Sequence, residues 1–195
     1  MLVYEFTFQN FVFQTFNKKP LQDLFTVQQT HSDILLPYLS SSYNQEGDGI
    51  YANIGDPYSK PMAIKTADCL PIMTVSRNKV MMIHAGWRGL HQKILLNPLL
   101  KSDPPHFALI GPCISKDSFE VTVEFKDHFP DSPYFHQSSA RLTFDLAGEA
   151  TSQLLALNPQ ITIEIAGLCT YQNPKLKSYR RDKNADRNWN LCHIK

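Results

Sequence analysis

The stretch 61-PMAIKTADCLPIMTVSRNKVMMIHAGWRG-89 decides how the rest of the chain reads. It holds three short apolar runs, residues 61–65, 71–75 and 80–84, separated by polar or turn-forming residues, and each run is predicted to be a strand. Runs of the same kind recur at 2–8, 11–16, 25–29, 107–110 and 161–166, with a further strand-like run at 189–194. Helical spacing shows in two places only: Leu90, Ile94 and Leu95 after Gly89, and Leu146, Ala150, Leu154 and Leu157. Strands outnumber helices, and the helices fall between strand groups instead of alternating with them. That order favours an α+β layered sandwich of mixed sheets and helices over a doubly wound parallel sheet.

The remaining segments add no second unit. A chain of 195 residues suits one domain, 1–195, with room for a sizeable core. The turn-rich stretch 40–49 reads as a surface loop, too short for an interdomain linker. Hydrophobic residues make up 43% and charged residues 19%, the balance of a folded globular chain. A net charge of +1 gives no global field to attract a nucleic acid polymer. The start, MLVYEFTFQN, lacks a basic head and apolar run, and no stretch is long and apolar enough to span a bilayer, so a cytoplasmic location is expected without a membrane partner. The four cysteines are widely spaced, as core, metal or catalytic thiols are, and do not resemble a disulfide framework.

Three segments place a metal-competent side chain at the end of a predicted strand: His31 in Gln29-Thr30-His31-Ser32, Cys69 after Thr66-Ala67-Asp68, and His84 before Gly86-Trp87-Arg88-Gly89. A thiolate with two imidazoles is a borderline-soft set suited to zinc, and three protein ligands leave a fourth tetrahedral position open. The three are dispersed, with no compact ligand motif, so core histidines and a buried thiol remain an alternative. Copper oxidation is disfavoured, because only two of the seven histidines have metal-suited neighbours. Asp68 could take a proton or orient a ligand imidazole, or simply cap a turn. Arg88 could hold phosphate with its guanidinium fork or form a structural salt bridge. Tyr179, Arg180 and Arg181 form the densest positive cluster, read either as a phosphate-facing edge or as a solvated one. Cys113 is expected to be a buried thiol at a tight turn, and Cys169 a core residue. His91, His106, His128, His136 and Cys192 are expected to be bystanders.

Gln-x-His-Ser, Thr-Ala-Asp-Cys-Leu-Pro-Ile, His-Ala-Gly-Trp-Arg-Gly, Ile-Gly-Pro-Cys-Ile, Cys-Thr and Ser-Tyr-Arg-Arg-Asp follow one another here between Gln29 and Asp182. In that order they resemble the YfiH-like (laccase-domain, formerly polyphenol oxidase) purine nucleoside phosphorylase family. The resemblance implies an α+β fold related to cytotoxic-necrotizing-factor-like putative cysteine hydrolases, and zinc held by His31, Cys69 and His84. It further implies phosphorolysis of adenosine, inosine, guanosine or methylthioadenosine to free base and ribose 1-phosphate, with possible adenosine deaminase activity. Asp68, Arg88 and Arg181 are then expected in catalysis, and Arg88, Tyr179, Arg180 and Arg181 in binding substrate and phosphate. Arg88 and Arg181 are expected to share the metal's cavity. Some features depart from the family: only 30 residues precede His31, without its Gly-Gly-Val-Ser-like turn, and Leu176-Lys177 replaces a doubled phenylalanine. The pocket is expected to differ there. Two other readings remain: a cysteine hydrolase or amidase using Cys69 and His84, and a non-enzymatic regulatory domain whose metal is closed by four protein ligands.

Overall fold

The computed structural model describes residues 1–57 and 59–194. The decisive stretch forms a hairpin of the Leu70–Val75 and Lys79–Ala85 strands at the centre of a six-stranded sheet. Phe107–Ile110 pairs antiparallel to the first of these and Gly49–Asn53 antiparallel to the second. Thr162–Ile165 and Leu35–Pro37 add parallel edges. Both faces of the hairpin are covered, which explains why its sequence is apolar at nearly every position. Successive residues alternate faces: Met73, Val75, Val80 and Met82 enter one apolar cluster, while Leu70, Ile72, Met81 and Ile83 enter another.

The first cluster lies between this sheet and a second, five-stranded sheet. That sheet runs Leu2–Phe8, Phe11–Phe16, Asn188–Ile194, Met62–Thr66 and Phe25–Thr26 in spatial order. Phe11, Phe13 and Ile64 from it meet Ile50, Phe107 and Leu109 across the gap. The other cluster packs the outer face of the six-stranded sheet against the Leu146–Leu157 helix, through Leu146, Ala150 and Leu154. A small sheet of Glu120–Val121, Leu142–Phe144 and Phe135–Gln137 sits beside that helix layer. The α+β layering is as expected, and no helix of the described residues is long and apolar enough to cross a membrane.

Local differences have physical causes. The amphipathic helix expected after Gly89 is three short pieces, Trp87–His91, a 3-10 turn Ile94–Leu96, and Pro98–Ser102. Lys93 adopts a left-handed conformation (φ 61°) and Pro98 cannot continue a helix, so each forces a break. The run 25–29 joins the five-stranded sheet over Phe25–Thr26, and Gln28 then makes an isolated parallel bridge with Glu46. Beyond it the chain leaves the sheet, and Gln29 bonds sideways through its amide to the backbone of Lys65, accepting at 2.8 Å and donating at 2.7 Å. The 40–49 loop ends inside the molecule, because Gly49 begins a strand that the turn-forming composition hides.

One corner matters most. Met62–Thr66 belongs to the five-stranded sheet and Leu70–Val75 to the six-stranded one, so Ala67-Asp68-Cys69 carries the chain across the gap between sheets. Asp68 makes that corner with φ 88°.

Candidate active site

Cys69 at this corner faces His84, near the end of the neighbouring strand, and His31, on the loop that Gln29 ties down. One ligand atom from each of His31, Cys69 and His84 lies within 4.8 Å of the other two. The Cys69 Sγ to His31 Nε2 distance is 4.0 Å, and the two imidazole rings meet edge to face with centroids 4.8 Å apart. Gly86 makes this convergence sterically possible. A Cβ there would stand 2.9 Å from Cys69 Sγ and 3.1 Å from His31 Cδ2.

The group that organises the three is Asp48, in the turn-rich 40–49 stretch whose composition predicts a surface loop. Its carboxylate is fully buried and accepts from His84 Nδ1 at 2.7 Å, which aims His84 Nε2 at the cysteine. It also accepts from the backbone N–H groups of Thr30, His31 and Ser32 at 3.2, 3.0 and 2.5 Å, and from the Ser32 hydroxyl at 2.7 Å. Those bonds hold His31 in a left-handed conformation (φ 61°) that a non-glycine residue seldom adopts unaided. One carboxylate therefore positions both imidazoles, the outer-sphere role common in histidine metal sites.

The electrostatics follow. Burial alone would raise Asp48, but hydrogen bonds from His84 and Ser32 bring it down to about 2. Burial likewise opposes ionisation of Cys69 and His84, and mutual attraction outweighs it, with further hydrogen bonds from His31 and Asp48. The thiol is lowered and the imidazole raised. Cys113 and Cys192, buried without such partners, are pushed up to about 12 by that burial.

Asp68 does not touch either imidazole through its carboxylate. Its oxygens accept from Thr170 Oγ1 at 2.7 Å and from the Arg180 backbone N–H at 2.6 Å, so it anchors the short Tyr179–Asp182 helix. Cys169 is half-buried instead of core, and its neighbour Thr170 matters to the site through its hydroxyl.

The three converging residues lie in a cavity of about 1250 Å³. Arg88 and Trp87 line it from one side, with the guanidinium carbon 4.3 Å from the indole centroid. Tyr179 and Arg180 line it from another, Arg180 lying over Phe119 at 5.2 Å and donating to the Glu120 carbonyl at 2.8 Å. Arg181, expected to share the cavity, is absent from its lining. Its guanidinium is turned the other way, donating to the carbonyls of Thr170, Tyr171, Asn173 and Leu176 and to Asp182. The 170–176 turn offers a fork-shaped donor four clustered acceptors, which outcompete an open cleft. His91, His106, His128 and His136 also lie outside the lining.

With this arrangement in view, relatives become informative. The sequence pattern of the family described as multi-copper polyphenol oxidoreductase laccase matches residues 9–195. The chain belongs to this laccase-domain family. A relative from Aquifex aeolicus, named purine nucleoside phosphorylase, is 34% identical over 164 residues, covering 82% of this chain and 77% of the relative. Neighbours of solved structure include a Neisseria meningitidis protein at 27% identity, with a TM-score of 0.75 over 88% of this chain and 74% of that one. Bacillus licheniformis YfiH superposes with a TM-score of 0.77 at 23% identity, over 91% and 76% of the two chains, and shares the fold.

Proposed function

We propose that the chain is a zinc-containing purine nucleoside phosphorylase, cleaving nucleosides such as adenosine, inosine, guanosine or methylthioadenosine with inorganic phosphate. The observation that carries this reading is the junction, in one cavity, of the His31, Cys69 and His84 donors with the guanidiniums of Arg88 and Arg180. The names of relatives such as the Aquifex aeolicus protein support it.

The donor set fits zinc. Two imidazoles and a thiolate match its ligand preference, their donor atoms lie within 4.8 Å of one another so that a small inward movement would bring all three onto one ion, and Gly86 leaves the space clear. Zinc held there would supply Lewis acidity at the floor of the cleft. The other parts are the chain's own. Arg88 and Arg180 are fixed on Trp87 and Phe119 and present forked donors that suit the phosphate nucleophile. Phosphate oxygen bonds to the anomeric carbon as the bond to the base breaks, and the base leaves with the electron pair. Positive charge builds on the sugar in that transition state, and the neighbouring bound anion stabilises it. Asp68 acts as a positioning residue for Arg180, and Asp48 as one for both imidazoles. Adenosine deamination in the same cleft is a further activity of this reading, and it needs no phosphate.

A second reading has its own observation. Cys69, His84 and Asp48 form a thiol, imidazole and carboxylate series with a lowered thiol, as in cysteine hydrolases. A multinuclear copper centre has less support, because the described residues group only two imidazoles with a cysteine.

The test incubates purified protein with adenosine, inosine, guanosine and methylthioadenosine, with and without phosphate, and quantifies free base and inosine. Phosphate-dependent base release supports phosphorolysis. Turnover of none of them, with hydrolysis of amide substrates after metal removal, supports the cysteine hydrolase instead.

A further inference from the structure

The cleft holds more positive charge than a neutral nucleoside and one phosphate ion explain. Eight of the chain's 19 lysines and arginines line it, against Asp68 and Asp186. Both carboxylates are already engaged, Asp68 with Thr170 and Arg180, and Asp186 with Lys177 at 2.9 Å. Lys18, Lys19, Lys65 and Arg187 have no carboxylate within 4.0 Å among the described residues. Lys19 and Lys65 converge on one indole, their ammonium groups 5.5 and 5.8 Å from the Trp189 ring centroid. An aromatic face attracts each cation, yet the two still repel one another, and an anion between them would relieve that.

Their placement sets the scale. Lys65 lies opposite Trp189 across neighbouring strands and four residues before Cys69, so at most about 14 Å of extended chain separates it from the His31, Cys69 and His84 cluster. Arg88 and Arg180 already provide for a phosphate beside that cluster. Lys19 and Lys65 are therefore further cations of the same cavity, within reach of a ligand seated at that cluster.

We infer that the wall formed by Lys18, Lys19, Lys65 and Arg187 around Trp189 is a second anion subsite, and that the cleft binds purine nucleosides carrying their own phosphate ester. This rests on the purine nucleoside reading of the site and adds the ligand's charge. The ester projects toward Lys19 and Lys65 while the sugar and base occupy the space beside His31 and Tyr179.

The test measures calorimetric binding of adenosine, adenosine 5′-monophosphate, inorganic pyrophosphate and a single-stranded oligoadenylate to the full chain. The same titrations are repeated on Lys19→Ala/Lys65→Ala and on Lys18→Ala/Arg187→Ala, each checked by its melting curve. The monophosphate should bind about tenfold tighter than adenosine, and most of that advantage should vanish in at least one double variant that still folds. Adding salt should narrow the same gap. Any of four results overturns the inference: a monophosphate no tighter than adenosine, an advantage that survives in both variants, pyrophosphate binding as tightly as the monophosphate, or a tighter oligoadenylate. Adenosine binding without a monophosphate advantage overturns this inference alone, whereas binding of neither overturns the nucleoside reading with it.

Discussion

The buried carboxylate of Asp48 stands 2.7 Å from Nδ1 of His84, and the same group takes the backbone N–H of His31 at 3.0 Å. A side chain that never faces the substrate thus sets the direction of two of the three donors. The substitution Asp48→Asn would turn an amide NH₂ toward N–H groups that need an acceptor. Zinc affinity should then fall about 10- to 100-fold, measured by chelator competition, while the fold survives. Unchanged affinity would show that Asp48 serves folding alone.

The same carboxylate gives an acid signature. Its value is depressed to about 2 in the folded chain from an ordinary 3.8, so its stabilisation is present above pH 3.8 and lost as pH falls toward 2. The shift corresponds to about 2 kcal/mol, to be read as the difference in acid unfolding midpoint between the metal-free parent and Asp48→Asn. Coincident acid limbs for the two proteins would contradict it.

Arg180 and Arg181 are adjacent in sequence and opposite in role. Arg180→Ala should raise the phosphate KM with little change in melting temperature, since its guanidinium lies over Phe119 at the cavity. Arg181→Ala leaves four carbonyls without their donor and should cost about 2 kcal/mol of stability. A phosphate KM that responds only to Arg181 would reverse the assignment.

Gly86→Ala is a local probe of the donor cluster. The new Cβ meets Cys69 Sγ at 2.9 Å, so the thiol must move while the rest of the hairpin is untouched. Metal content should drop with a melting temperature close to that of the metal-free parent. Full zinc loading in Gly86→Ala would mean that the site is looser than its geometry indicates.

Thiol chemistry separates the cysteines. In metal-free protein near neutral pH, iodoacetamide should alkylate Cys69 well before Cys113 or Cys192, whose thiols burial pushes up to about 12. Zinc should protect Cys69. Peptide mapping by mass spectrometry reads both effects, and labelling of Cys69 that zinc leaves unchanged would remove it from the ligand set.

The central hairpin is legible as short, nearly continuous apolar runs bounded by turn formers, and the Leu146–Leu157 helix by a 3.6-residue spacing that records its buried face. His31, Cys69 and His84 were legible as residue types at strand ends, and the order of short motifs joined them. Asp48 was not. A lone aspartate between Gly47 and Gly49 has the local signature of a turn, and only the pairing of Gly49–Asn53 with Lys79–Ala85 brings it beneath His84. Local sequence also cannot tell Arg180 from Arg181, because their divergence is decided by the carbonyls of the 170–176 turn and by Phe119. The basic wall around Trp189 was equally hidden, since Lys19, Lys65 and Arg187 come from three segments that meet only when Asn188–Ile194 enters the sheet between Phe11–Phe16 and Met62–Thr66.

The most direct measurement is ribose 1-phosphate formation from inosine and phosphate by the full chain, before chelation, after it, and after zinc is restored. The account predicts phosphate-dependent product, its loss with the metal, and its return with about one zinc per chain. Full activity in metal-free protein, or base release indifferent to phosphate, would contradict it.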